Sequence, residues 1–269
     1  MKNLVLLPLF VACCAVPARA DLSYTQTTSS PFGAMMGNSS GIVSKVYSKG
    51  TFNRTEAQMF GRKMITIARG AKSVIQIDPA TKTYTVGSAS SAALAKTRMP
   101  SGAKMPSMSM TVSTKKLGVQ NLRGIKAPHY LVNMDMKMST PRGPQNMKMG
   151  MEVWGSNVSY PISAKTRGDA LQSLPANIKG MFGGALNIKG DLKGMGAAFG
   201  TVPLRMKILM NGQPISTTET TNISTKALPA SLFAVPAGYR AVSNQQYAKT
   251  LQASMRQSMA TMMKNRPKR

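Results

Sequence analysis

Methionine stands at every second position in three stretches of this chain. Met134, Met136 and Met138 form one run, Met147, Met149 and Met151 the next, and Met108 and Met110 a shorter third. Side chains of a β-strand alternate between faces, so each run places its methionines on one face of a sheet. The residues between them are Ser109, Asn133, Asp135, Lys137, Lys148, Gly150 and Glu152. These suit a wet outer face. A fourth stretch, Leu204, Met206, Ile208 and Met210, alternates with Arg205 and Lys207. The inner face then carries flexible, polarizable thioethers in place of the usual Val and Ile, and such a surface adapts to a loosely defined apolar ligand.

The rest of the chain reads mostly as strands. Leu22 to Thr28, Gly41 to Ser48, Phe52 to Phe60, Lys63 to Ala68, Ser73 to Asp78 and Thr83 to Val86 are separated by turn signals at Lys49-Gly50, Arg69-Gly70 and Asp78-Pro79. A second series runs Met108 to Ser113, Tyr130 to Met138, Met147 to Trp154 and Val158 to Tyr160. Ser139 to Asn146 holds two prolines and a glycine and reads as a long hairpin loop. Trp154 falls out of phase with the methionines, which places it outward or under a covering loop. Strands return at Leu204 to Met210, Asn211-Gly212 is a hairpin turn, and the Thr-rich Ser216 to Ser224 reads as an edge strand. Short helices fit Ser88 to Lys96 and Arg167 to Leu174. Gly180 to Gly200, with seven glycines, reads as a mobile or irregular cover.

Both ends differ from the middle. Lys2, an apolar run from Leu4 to Val16 and Ala18-Arg19-Ala20 form a signal-peptide pattern, with cleavage expected before Asp21. Phe10-Val11-Ala12 is a poor lipobox for acylation at Cys13 or Cys14, the chain's two cysteines. The expected domains are a signal peptide over 1–20, a β domain over 21–245 and a basic amphipathic helix and tail over 246–269. In the last, Tyr247, Leu251, Met255, Met259 and Met263 recur every four residues. The expected location is the periplasm or the secreted fraction of a bacterial envelope.

Charge and residue supply narrow the function. The net charge is +27, or +25 once Lys2 and Arg19 are removed. The cations are scattered, which argues against a nucleic-acid arm and favours attraction to an anionic membrane or polymer. The acidic residues are isolated along the sequence, and Asp135 and Glu152 approach each other across the methionine hairpin as surface groups. His129 is the only histidine and lacks an orienting carboxylate, so it reads as the beginning of a strand. No enzyme and no cofactor is expected. Copper is the sharp rival for the methionines: thioethers favour Cu(I), with Met134, Met136, Met147 and Met149 as the candidate set. Against it, no His or Cys assists, and each surface charge ~10 Å away costs about 0.4 kcal/mol in water before screening.

Several short segments stand in a telling order. Ile77-Asp78-Pro79-Ala80-Thr81-Lys82-Thr83-Tyr84 is followed by Asn121 to Lys126, His129 to Val132, Glu152-Val153-Trp154 and Ser231-Leu232-Phe233-Ala234-Val235-Pro236-Ala237-Gly238-Tyr239. Over roughly Leu22 to Val242 this resembles the bacterial DUF4412 group, which is itself similar to the LolA/LolB/LppX-like outer-membrane lipoprotein carriers. The resemblance implies a mainly β fold of the α+β kind: a strongly curved antiparallel sheet forming an unclosed half-barrel with a few covering helices. In the carriers the hollow binds acyl chains. Here Met108, Met110, Met134, Met136, Met138, Met147, Met149, Met151, Met206 and Met210 would line it. The expected activity is binding of a lipid or other apolar ligand. The alternatives are a periplasmic Cu(I)-binding protein, or an envelope protein that binds anionic surfaces through its basic face while the methionines serve as core.

Overall fold

The computed structural model describes residues 21–31, 41–59, 62–70, 73–88, 108–140, 143–160 and 186–264. The expected signal peptide, the helices over 88–96 and 167–174 and the basic tail fall wholly or mostly outside them. The elements in order are β1 (Leu22–Ser29), β2 (Ile42–Lys49), β3 (Phe52–Met59), β4 (Arg62–Arg69), β5 (Ser73–Asp78), β6 (Thr83–Ser88), β7 (Met108–Leu122), β8 (Ile125–Thr140), β9 (Gly143–Ser159), β10 (Leu186–Gly190), α1 (Leu192–Ala198), β11 (Thr201–Met210), β12 (Gln213–Ser224), a 3₁₀ turn (Ala230–Phe233), β13 (Arg240–Ala241) and α2 (Asn244–Lys264).

One sheet of 13 strands carries the fold, in the order β10-β7-β8-β9-β11-β12-β1-β2-β3-β4-β5-β6-β13, and it does not close on itself. The chain is mainly β, as the alternation demands. The sheet is mixed, not wholly antiparallel, because β10 and β13 each add in parallel at an end. Each is reached by a crossover, and only antiparallel neighbours can be joined by a tight hairpin.

Four further expectations are corrected. The methionine hairpin has no long loop: pairing runs on to Ser139↔Pro144 and Thr140↔Gly143. Val158 is no separate strand, since β9 is continuous from Gly143 to Ser159. β12 is no edge. It lies between β11 and β1, with Thr218 and Thr220 buried, and threonine hydroxyls satisfied across strands can occupy such a centre, as Thr28 and Thr218 do at 3.0 Å. Finally, the described part of the glycine-rich stretch is regular. It forms β10 and α1, and its glycines serve close approach. A Cβ on Gly190 (φ +103°) would strike the Val112 carbonyl oxygen, and one on Gly194 would strike Asp191 and Thr114. Asp191 caps α1 by accepting from the Gly194 N–H at 2.7 Å.

Asn211 (φ +50°) and Gly212 (φ +80°) turn β11 into β12 as expected, since a type I′ hairpin needs positive φ at both central positions. In the other half, Ile65 faces Ile77 and Ile67 faces Ile75 across β4 and β5. Phe233 closes this cluster with Leu228, Leu232, Val235 and Tyr239. The Phe-x-Val-Pro-x-Gly-Tyr segment is therefore a lid on the isoleucine core. α2 begins with Asn244, whose side chain accepts a hydrogen bond from Thr85, and it buries Tyr247.

Candidate functional site

The strand registers bring the methionines together. Met110, Met136 and Met147 lie in one row across β7, β8 and β9, and Val112, Met134, Met149 and Met210 form the next across four strands. Val132, Met151 and Ile208 follow, then Tyr130, Val153 and Met206; Met108 lies opposite Met138 at the far end. All ten positions singled out in the sequence thus share one face of β7, β8, β9 and β11. Directly opposed positions have Cβ atoms about 4.5–5.5 Å apart, within reach of a thioether on the neighbouring strand.

α1 covers part of this face. Met195 and Ala198 are buried against Met110, Val112 and Val132, with Leu192 and Phe199 packed beside them. Burial falls away from the helix. Met110 is 7% exposed, Met134, Met136, Met138, Met149, Met151 and Met206 are half-buried, and Met147 and Met210 are 39% and 37% exposed. The open end lies by the β8–β9 and β11–β12 turns, where the Asn211 N–H binds the Lys148 carbonyl. Beyond β11 the same face turns polar: Thr218 and Thr220 of β12 meet Thr28 and Gln26 of β1.

Leu204 does not belong to the panel. A bulge between Pro203 and Arg205 breaks the alternation, and Leu204 packs with Trp154 and Ala127 on the opposite face. Trp154 itself is buried there. Its indole stacks on His129 with centroids 4.1 Å apart, and its Nε1–H donates to Gln120 at 2.8 Å. Arg205 and Lys207 stand 5.7 and 5.4 Å from its ring. His129 is mid-strand, with Nε2 buried and unpartnered. Burial pushes its pKa down, Glu152 opposes this and Lys207 adds to it.

The carboxylates are engaged elsewhere. Asp135 lies opposite Lys148 and Glu152 opposite Leu131, so the expected approach of Asp135 to Glu152 does not occur. They stand four residues out of register, about 13 Å along the strands. Glu152 pairs with Lys207, Glu219 with Arg123 and Arg205, Asp78 with Arg62 and Asp21 with Lys49. Glu56 is held by Arg54 and Lys63. Burial alone would raise its pKa, but the hydrogen bonds from Lys63 and Arg54 outweigh this and bring it below the ordinary value. Arg54, 7% exposed, also donates to the Leu232 carbonyl at 2.8 Å. Among the described residues no group of three or more His, Cys, Asp or Glu could hold a metal.

Sequence reasoning missed a second concavity, an open cleft of about 810 Å³ lined by Phe52, Phe233, Ala230, Ser73, Lys49 and Arg69. Its aromatic floor joins Phe52 on β3 to Phe233 some 180 residues later (ring centroids 6.0 Å apart), a pairing no local pattern announces.

No protein-family model and no curated protein matches this chain, so the DUF4412 likeness remains one of motifs. Solved structures do. An uncharacterized conserved protein from Thermus thermophilus is 11% identical with a TM-score of 0.41, over 84% of this chain and 91% of that one. The lipoprotein LppX of Mycobacterium tuberculosis is 10% identical with a TM-score of 0.32, over 78% and 88%. An outer membrane lipoprotein-sorting protein domain from Vibrio parahaemolyticus is 9% identical with a TM-score of 0.33, over 81% and 90%. All three scores lie below 0.5, so any assignment of function falls to this chain's own residues. No described helix is long and apolar enough to cross a membrane.

Proposed function

We propose that this protein binds an apolar or amphipathic, lipid-like molecule on the methionine face of β7, β8, β9 and β11, as a non-catalytic component of the bacterial envelope. The observation that supports this most is the alignment of thioethers across four strands, which the described residues cover only in part. A methionine panel serving only as core would be closed, as the isoleucine core is. Here Met147 and Met210 stay exposed at one end while Met110 is shut under α1. Thioethers repack around varied chain shapes, and among the described residues Glu152 and Glu219 are paired with cations. The envelope location rests on the signal-peptide pattern at the start of the chain.

The test is displacement of an apolar fluorescent probe, 1-N-phenylnaphthylamine, by lysophospholipid. Changing Met134, Met136, Met147 and Met149 to Leu keeps apolar area and should keep binding. Changing the same four to Asn should abolish it. If the Leu form loses binding while the parent takes up Cu(I) stoichiometrically, the copper reading replaces the lipid one, because only sulfur was removed.

A further inference from the structure

The far half of β7 stands apart from the methionine face. β10 covers β7 only from Met108 to Val112, and among the described residues no strand pairs with the outer edge beyond. Lys115 to Asn121 are all exposed, seven residues in succession. Within them Leu117 is 41% and Val119 58% exposed. The same hairpin also concentrates positive charge. From Ser113 to Tyr130 the hairpin carries Lys115, Lys116, Arg123 and Lys126 and no carboxylate. Arg123 is committed to Glu219 at 2.8 Å, while the three lysines are exposed.

An open strand edge with exposed aliphatics invites two partners. An added strand needs a regular ladder of free N–H and C=O groups. Here the register shifts between Lys116 and Gly118, and Gly118 sits at φ +118°, so the ladder is broken where it would be used. An anionic lipid surface makes no such demand. At headgroup depth the edge backbone stays hydrated, the lysines meet phosphates, and the two aliphatic side chains reach the acyl boundary.

We propose that the β7–β8 hairpin end, through Leu117 and Val119 flanked by Lys115, Lys116 and Lys126, docks the protein shallowly on anionic bilayers. The contact is independent of whether the methionine face holds a ligand. Two aliphatics make it reversible, and the lysines make it sensitive to salt.

The test is cosedimentation of the full chain with phosphatidylcholine vesicles, with and without phosphatidylglycerol. Binding should require phosphatidylglycerol and fall in high salt. Lys115→Gln, Lys116→Gln and Lys126→Gln together should weaken it on the order of a hundredfold, about fivefold per lysine. Leu117→Ser with Val119→Ser should weaken it about tenfold at unchanged charge. An environment-sensitive dye on Val119→Cys, with Cys13 and Cys14 removed, should shift to the blue on vesicles, and one on Ala80→Cys should not. The Met-to-Asn form described above should bind vesicles like the parent. Equal binding to pure phosphatidylcholine, full binding by the double Ser form, or loss of binding in the Met-to-Asn form would each overturn the proposal.

Discussion

β4 and β5 set isoleucine against isoleucine, whereas β8 and β9 set methionine against methionine, and the two halves of the sheet are finished differently. Ile65, Ile67, Ile75 and Ile77 are 0–4% exposed and sealed by Phe233 from the closing segment. Met134, Met136, Met149 and Met151 lie in equally regular register yet stay half-buried beside a seven-residue helix. β-branched side chains are stiff and fill a fixed shape, while methionine keeps its rotamers and fills a variable one. One half holds the sheet together, and the other keeps a partly exposed apolar face among the described residues.

That contrast can be broken most strongly in the isoleucine half. Glu56→Ala would leave the buried Arg54 guanidinium without its carboxylate, a loss of about 3–5 kcal/mol that urea unfolding would register. Ile67→Ala, at a fully buried position, should cost about 2–5 kcal/mol by the same measurement. A cost near zero at Ile67 would mean that this core is as loose as the methionine face. Gln120→Ala tests the opposite face of the methionine strands: it strips the buried Trp154 Nε1–H of its acceptor and should cost about 1–3 kcal/mol, with a change in tryptophan emission. Replacing Met134, Met136, Met147 and Met149 by Leu should cost less than about 1.5 kcal/mol in total, because volume is conserved on a face with room to adjust.

Acid should separate the halves more gently. Both His129 and Glu56 have folded pKa values below their unfolded ones, so each contributes stability above its unfolded pKa and loses it as pH falls through the folded one. Loss should therefore begin below about pH 6.5 through His129 and steepen below about 4.5 through Glu56. In His129→Gln, thermal melts across this range should lack the first part and keep the second.

The sequence made the strands legible wherever one face was apolar. The shared face of the methionines followed directly, because a period of two fixes which side chains lie together, but their register did not, since a slip of two or four residues keeps the same face. What stayed hidden was set by pairing and packing that no local apolar pattern announces. The second half of β7 has no apolar face, so Lys115 to Asn121 read as nothing until Lys126 to Leu131 paired with it. β12 read as an edge because threonine looks polar until its hydroxyls are matched across strands. Leu204 looked like a member of the methionine face until one bulge turned it over to Trp154. The glycines at 190 and 194 read as mobility, and their actual reason, backbone pressed against Val112 and Thr114, needed the third dimension. The DUF4412-like closing segment gave a fold element, not a site: its Phe233 seals the isoleucine core.

The central claim concerns where a lipid-like molecule lies, and methionine oxidation reads that position by position. The full chain would be exposed to dilute hydrogen peroxide with and without lysophospholipid, and sulfoxide formation followed by peptide mass spectrometry. Slower oxidation at Met134, Met136, Met147, Met149 and Met210 on adding the lipid, with Met64 on β4 unchanged, is the predicted result. Unchanged rates at those five positions under conditions where the lipid is bound would place it elsewhere and contradict the account.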